Sequence, residues 1–460
     1  MSRDASLYPL RQTQREPHDN TLWNWAQNAP IGTQQQVKRP ANEAALQQLL
    51  RDTHNTVRVI GKTYSPGRML AVHPDDLLLD LSAFTGLLRS DAYSVTFAGA
   101  TPLEQIYSTL TDMDRMLASS PGVISVQTLA GAMATGTHGQ GLQQSSIADE
   151  AEQIRLVLSD GSIRELSRGD DDFAAALVSL GTLGIVTEVT LRTQPFRIFT
   201  CHKNAVSADN LESDLLRWNE DYALSKAWWF VDDNIMHVWN AHQASYDEIQ
   251  RYEQSGREVV EHADEGDDSL NDTIEQTLEH MHRDTQIHGK GGKQFRTVTR
   301  FRDFTDVTGD IYQLFCRGIA VPQINVEIGV PLARTPAIIS KIKRWYAENR
   351  PHMHYPIILR CTGASSAWLS PAFDQPTCFF GFVVYYADDG SLSEAGLHFL
   401  SEVEKLLAEE GGRPHWGKYY DASLYHWRDL YPHWDRFRAL REQLDPHHRF
   451  SNDYTAALFK

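Results

Sequence analysis

The chain has 460 residues, 41% of them hydrophobic and 22% charged, so it exceeds one average domain and can bury a large core. A formal net charge of −17 opposes non-specific binding to nucleic acid or anionic membranes, which need Lys and Arg to neutralise phosphate. The polar N-terminal stretch lacks an apolar signal core, and no run of about 18 apolar residues occurs. The expectation is a soluble cytoplasmic protein with no membrane or nucleic-acid partner. Cys201, Cys316, Cys361 and Cys378 form no CxxC pair and read as reduced thiols.

An irregular lead-in, anchored by Trp23 and Trp25, runs to about residue 40. NEAALQQLLRDTHN then carries apolar residues at helical spacing, and VRVIG is a short strand opening into a glycine turn. DLLLDLSAF and YSVTFAGA read as strands, and PLEQIYSTLTDMDRMLA as one helix over 102–118. IRLVLSDGSIREL is strand, Asp-Gly turn, strand, a strong hairpin signal. DDFAAALVSLGTLGIVTEVTL gives a helix, a glycine-rich bend and a strand that ends at Pro195. From about 200 to 425, AWWFVDDNIMHVWN, TVTRFRDF, PQINVEIGVPL, PIILRC and CFFGFVVYYA read as strands of a second sheet. The acidic stretch 246–284 reads as a solvated helical excursion, with a lid as the alternative. DLYPHWDRFRALREQLDPHHRF is an amphipathic helix stopped at Pro446, and the chain as a whole is α+β.

Two glycine-rich segments stand out. VRVIGKTYS (57–65) leads from a strand into a small-residue turn, and TLAGAMATGTHGQG (128–141) interleaves glycines with Ala and Thr. Glycine lets the backbone approach a ligand closely, and consecutive N–H groups can form an anion nest. An acidic protein needs such a device to hold a pyrophosphate. A third loop, Gly181–Gly184, precedes a strand. Neither a GxGxxG after the first strand nor a GxxxxGK[ST] occurs, so the Rossmann fingerprint and the P-loop are both missing.

In this order, VRVIGKTYSPG, TLAGAMATGTHGQG and DFAAALVSLGTLGIVTEVTL resemble the FAD domain of the vanillyl-alcohol oxidase superfamily. RPHWGK (413–418) and LDPHHRFSNDY (444–454) are similar to the C-terminal motifs of its aldonolactone oxidases and alditol oxidases. The resemblance implies a two-subdomain FAD-binding domain over 1–198 and an α+β cap with an antiparallel sheet over 199–425. A helical segment, 426–460, would return to the FAD domain. It further implies that Ile60, Gly61, Lys62, Thr63, Tyr64 and Ser65 meet the FAD pyrophosphate. Gly131, Thr135, Gly136, Thr137, His138 and Gly139 would form the second FAD loop, and the main chain at Gly184, Ile185 and Val186 would meet the adenine end. Relatives commonly have Gly-His-Ser where this chain has Thr63, Tyr64 and Ser65, and that histidine is linked to the flavin. A phenol cannot repeat the link, so FAD is expected to be non-covalent. His138 reads equally as structural or substrate-facing.

On the substrate side, Lys418 matches a lysine beside the flavin and Arg360 an arginine that faces substrate. The glutamate usual two residues before that arginine is Ile358 here. PQINVEIGVP aligns Gln323, Asn325 and Glu327 on one strand face, and Glu327 could supply the missing carboxylate from a neighbouring strand. His415 is read as packing or as lining the pocket. The pairs His352/His354, His280/His282 and His447/His448 match no metal pattern and read as exposed turn residues. The function so implied is oxidation of a CH–OH group on an aldonolactone, alditol or related polyol, with O₂ or another acceptor taking the electrons. Ile358 admits a less polar alcohol or amine as the alternative, and a flavin-binding relative without turnover is a further one.

Overall fold

The computed structural model describes residues 20–262, 272–279, 305–316, 322–351, 353–387 and 394–460. The strand expected at TVTRFRDF and the histidines at 280, 282 and 352 lie outside these residues.

Three short parallel strands, Val37–Lys38, Leu77–Asp80 and Val57–Ile60, form the first sheet, with 77–80 in the middle. Helix Glu43–Asp52 begins where the Asn42 side chain accepts the Ala45 N–H, satisfying an otherwise orphaned donor. Leu46 and Leu50, one turn apart, bury against Val57, Leu79, Ile185 and Phe450. An antiparallel sheet follows in the order Ile163–Ser167, Ala151–Val157, Ile185–Arg192, Ser94–Ala98, Leu87–Ser90. The hairpin read from Asp160-Gly161 pairs Ile163 with Val157. The helix expected over 102–118 stops at Asp112. Asp114 takes a left-handed φ of 52°, and the chain turns into Arg115–Met116, which pairs with Gln194–Pro195.

A nine-stranded antiparallel sheet makes the second layer, in the order Val260–His262, Asp306–Gly309, Phe199–Ser207, Ile235–Gln243, Leu224–Phe230, Ile357–Thr362, Thr377–Tyr385, Gln323–Pro331, Arg413–Pro414. Helix Glu394–Glu409 covers one face of its right half, with Phe399 set edge-on to Phe382 at 5.8 Å. Ile324, Val326, Ile328, Phe380 and Val384 share that apolar core. By period-2 alternation Gln323, Asn325, Glu327, Phe379 and Gly381 look the other way, toward the segment that carries His138. That polar face is therefore an internal surface. In the acidic stretch the described residues hold helix Tyr246–Gln254, capped reciprocally by Ser245 and Glu248, a helical run over 272–279, and Val260–His262, which joins the sheet edge.

Backbone bonds join the two layers. Gly141 N–H donates to Cys361 O and Gly363 N–H to Gln144 O, each at 2.7 Å. At Gly141 φ is 115°, and a Cβ would meet Gln144 Nε2 at 2.6 Å, so this contact requires glycine. The C-terminal segment packs back onto the N-terminal strands and helix. Asp445 accepts the N–H groups of Arg449 and Phe450, Arg449 donates to Leu50 O, and Asn452 donates to the carbonyls of Arg68, Met69 and Ala71. Buried Arg58 donates to Phe450 O at 2.6 Å and Leu180 O at 3.0 Å, and burial pushes its pKa down to about 10. Contrary to the expectation of an exposed turn residue, His354 is fully buried, and its Nδ1 accepts the Tyr385 N–H at 3.2 Å, so it is a core residue.

Candidate active site

The two glycine-rich segments meet at Thr128. A Cβ on Gly61 or Gly131 would lie 2.9 or 2.8 Å from the Thr128 hydroxyl oxygen. Thr128 caps helix Leu129–Ala134 by accepting the Gly131 N–H. Around this junction Ile60, Thr63 and Ala130 are half-buried, and Gly61, Lys62 and Gly131 are exposed. Thr63 sits at a left-handed φ of 57°, and its carbonyl accepts the Trp25 N–H, which turns Tyr64 onto the Trp25 ring at 4.8 Å. Burial, with Glu104 nearby, raises the Tyr64 phenol's pKa. Ser65 is half-buried beside Asn24, which donates to its carbonyl. Gly184, Ile185 and Val186 open the strand paired with 151–157, and Val186 O lies against Gly99, whose carbonyl accepts the Ala130 N–H beside Gly131. The Ile185 side chain is in the core there, so only main chain is on offer.

Downstream, Gly136 (φ 73°) turns the chain so that Thr137, His138 and Gly139 run beneath the large sheet. Gly139 packs on Ser120 so closely that a side chain would collide with its hydroxyl. Thr137 donates to the Gln127 side chain. The His138 ring stacks on Phe379 at 3.6 Å, and its Nδ1 lies 3.0 Å from Gly139 O, the tautomer in which Nδ1 is the donor. Its Nε2 then faces Glu327 Oε1 at 3.6 Å. HWGK closes the opposite wall. Gly417 lies close to Thr135, where a Cβ would be 3.2 Å from the Thr135 hydroxyl oxygen, and His415 Nδ1 accepts the Gly417 N–H at 2.9 Å.

Glu327 is the centre of the site. Arg360 donates a short hydrogen bond to its Oε1 and a second, at 3.2 Å, to His138 O. Lys418 Nζ lies 4.0 Å from its Oε2. Burial opposes ionisation of Glu327, but the positive charge of Arg360, with Lys418 behind it, outweighs burial and holds the carboxyl well below the usual range. Burial pushes His415 down to about 3 and His138 well down, so both rings are neutral, and it lowers Lys418.

The structure thus brings Glu327, Arg360, Lys418, His138 and His415 together, with Ile358 beside them. Asn325 and Gln323 continue the same face, opposite Val383 and Tyr385. The carboxylate does not come from an adjacent strand, as the sequence suggests, but from one strand further away. Between them lies Thr377–Tyr385, where Gly381 stands in register with both Glu327 and Ile358. With no side chain at 381, Glu327 can cross to Arg360. Gly381 was not singled out in the sequence, and its one signal is a glycine inside an aromatic strand. Gly122, pressed against the Arg360 guanidinium, was also missed. So was the proximity of His138, Glu327 and His415, whose ligand atoms lie within 4.8 Å of one another. That set has metal-ligand chemistry. However, Arg360 already occupies the carboxylate and Lys418 faces it, so positive charge stands where a cation would bind.

Whether the residues fit a flavin nucleotide can be judged from unsatisfied groups. His138 Nε2, Arg360 Nε, Gln140 Oε1 and Thr362 Oγ1 are buried and have no hydrogen-bond partner among the described residues. Such groups are rare unless a ligand or water meets them. With the open backbone at 61–62 and 131, they suit a long ligand carrying both phosphate and polar ring atoms.

A D-arabinono-1,4-lactone oxidase family profile matches residues 189–458, and an FAD binding domain profile matches 34–167. The chain belongs to the D-arabinono-1,4-lactone oxidase family. The chain is similar to the L-gulono-1,4-lactone dehydrogenase of Mycobacterium tuberculosis, 28% identical over 91% of this chain and 94% of that protein. The alditol oxidase of a Streptomyces species is 24% identical over 94% and 97%, and the L-gulonolactone oxidase of Bos taurus 24% over 89% and 91%. Cholesterol oxidase of Brevibacterium sterolicum shares the fold, with a TM-score of 0.73 at 15% identity, covering 98% of this chain and 100% of that one. The chain is thus an FAD-dependent oxidoreductase of a family whose members act on sugar lactones and alditols. No helix among the described residues is long and apolar enough to cross a membrane.

Proposed function

We propose that this protein oxidises a CH–OH group of a small sugar-derived substrate, with O₂ as the electron acceptor, and that Glu327, Arg360 and Lys418 are its catalytic residues. The buried Glu327–Arg360 pair beneath the 135–141 loop, with Lys418 alongside, carries this reading. Bound FAD supplies the hydride acceptor, and Ile60–Ser65, Gly131, Thr135–Gly139 and the 184–186 main chain are the residues that would hold it. Arg360, tethered by Glu327 and His138 O, has its Nε left to donate to a substrate oxygen. Glu327 is too acidic, while paired, to be a strong base, so its first role is to fix Arg360 and accept a hydrogen bond from the reacting hydroxyl. His138 Nε2, buried without a partner among the described residues and 3.6 Å from Glu327 Oε1, is placed to hydrogen-bond the same hydroxyl and orient it. Lys418 provides positive charge against the negative charge that develops as the C–H bond breaks. His415, Asn325, Gln323 and Ile358 would shape the pocket.

We further propose that FAD is held without a covalent link, since Tyr64 stands where the linking histidine is expected and its ring is stacked on Trp25. The free thiols Cys201, Cys316, Cys361 and Cys378 suit a reducing, cytoplasmic setting. The boundaries 1–198, 199–425 and 426–460 are the corresponding division into cofactor domain, cap and closing segment. Anaerobic mixing of the yellow protein with aldonolactones, alditols and simpler alcohols tests the reaction: bleaching of the flavin supports it, and no bleaching by any of them removes it.

A further inference from the structure

Three walls hold the Arg360 guanidinium, and the third is a turn that belongs to none of the cofactor motifs. The Glu327 carboxylate accepts from Nη2, and His138 O accepts from Nη1 at 3.2 Å. Gly122 is the third wall. A Cβ at 122 would collide with Nη1 and lie 3.1 Å from His138 O, so no larger residue leaves the fork where it is. Nε, on the other edge of the guanidinium, is buried without a partner among the described residues. The group is planar and its N–H directions are fixed relative to one another, so holding Nη1 and Nη2 also sets where Nε points.

The turn is itself anchored. Ser119 donates to the buried Glu150 carboxyl twice, through its N–H at 3.1 Å and its hydroxyl at 2.9 Å, and Tyr107 OH donates to Ser119 O. Ser120 is fully buried, and its hydroxyl accepts from Gln140 Nε2 at 3.1 Å and packs against Gly139. Residues 119–122 therefore touch both partners of Glu327 Oε1: Arg360 through Gly122, and His138 through its neighbour Gly139. A φ of 69° at Gly122 would by itself favour glycine in any tight turn. Gly67, Gly86 and Gly169 are of that kind, with positive φ and nothing within 4 Å of an added Cβ. At Gly122 the space is taken by a charged fork that two other contacts already fix.

We propose that Gly122, on the anchored turn 119–122, is a positioning residue of the active site, which holds the Arg360 fork so that Nε is the donor offered to substrate. What Arg360 does there rests on the reaction proposed above, whereas its contact with Gly122 is readable from stability alone. Gly122→Ala and Arg360→Lys are made singly and together, as FAD-loaded protein. Lysine keeps a positive charge beside Glu327 and removes the fork that meets Gly122. Alone, Gly122→Ala should slow anaerobic flavin reduction by about 10²-fold and lower the thermal midpoint. In the Arg360→Lys background it should slow reduction by less than about twofold and lower the midpoint less, because only the left-handed strain remains. A glycine needed for the turn alone gives the same factor and the same midpoint shift in both backgrounds, and that result overturns the proposal. So does a Gly122→Ala variant that reduces its flavin at the wild-type rate. If Gly122→Ala does not hold flavin, Ser119→Ala decides, since it keeps the glycine and loosens the turn from Glu150. It should slow reduction in the wild-type background and not in Arg360→Lys, and equal slowing in both overturns the proposal. If no substrate bleaches the wild-type flavin, the oxidation reading fails by itself and the midpoints decide: non-additive shifts uphold the contact, and additive shifts overturn it.

Discussion

The cofactor loops and the cap-sheet cluster are both polar, yet they are built in opposite ways. Around Gly61, Thr128 and Gly131 the side chains are small and exposed backbone is what a ligand would meet, so the region can stay open. Around Glu327 the backbone is consumed by sheet pairing, and five long side chains from distant segments converge in a buried space. In the first region the polar groups belong to a few adjacent peptides and cost little to leave in water. In the second, each charge is desolvated and tolerable only while its partners stay in place. The loops therefore tolerate truncation of a side chain that the cluster does not, although their glycines admit no larger residue.

Four variants test that contrast, taken from the largest expected effect. Glu327→Gln leaves Arg360 buried without its counter-charge. Flavin reduction in anaerobic stopped flow should fall by about 10²-fold or more, and thermal denaturation should reveal a loss of roughly 3–5 kcal/mol. An unchanged rate would remove Glu327 from the chemistry. Lys418→Met should slow reduction by about 10²-fold if its charge stabilises the developing anion. Because burial lowers the Lys418 pKa, its charge is present at low pH and lost as pH rises through that lowered value. The wild-type reduction rate should accordingly fall on the alkaline side below the ordinary lysine range. If the Met variant keeps that alkaline limb, another group titrates there.

Gly381→Val tests the crossing. A Cβ at 381 would lie 3.3 Å from Ile358 Cβ, and the added branches would stand between Glu327 and Arg360. We expect about 1–3 kcal/mol of destabilisation from overpacking, with reduction slowed and flavin retained. Normal reduction in this variant would mean that the pair does not need the gap. Tyr64→Ala, in the loops, should matter least. Losing the stack on Trp25 costs about 0.5–1.5 kcal/mol, seen as slightly weaker FAD binding. Acid precipitation of the wild type should release yellow flavin to the supernatant, whereas flavin in the pellet would refute non-covalent attachment.

Legibility in the sequence follows the same division. The loops are contiguous motifs, so VRVIGKTYS and TLAGAMATGTHGQG could be read directly, and local turn chemistry made the 154–166 hairpin legible. The alternation of PQINVEIGVP correctly separated Glu327 from the apolar face. It could not say whether that face met water or protein, because burial depends on what packs above it. The helix over 102–118 was read too long because a left-handed Asp114 is not a glycine and gives no warning. His354 was misread because only the fold encloses it beside Tyr385.

What the sequence by itself determined is the cofactor class, the α+β character and the identity of each charged side chain in the site. Tertiary structure alone decided which carboxylate serves Arg360, since strand order puts Thr377–Tyr385 between them and Gly381 lets Glu327 across. It also decided that Gly122 lies against Arg360, because positions 122 and 360 are linked only by packing. Short-range motifs are written in neighbouring residues. A charge cluster is a property of strand pairing, and pairing is set by the packing of the whole sheet.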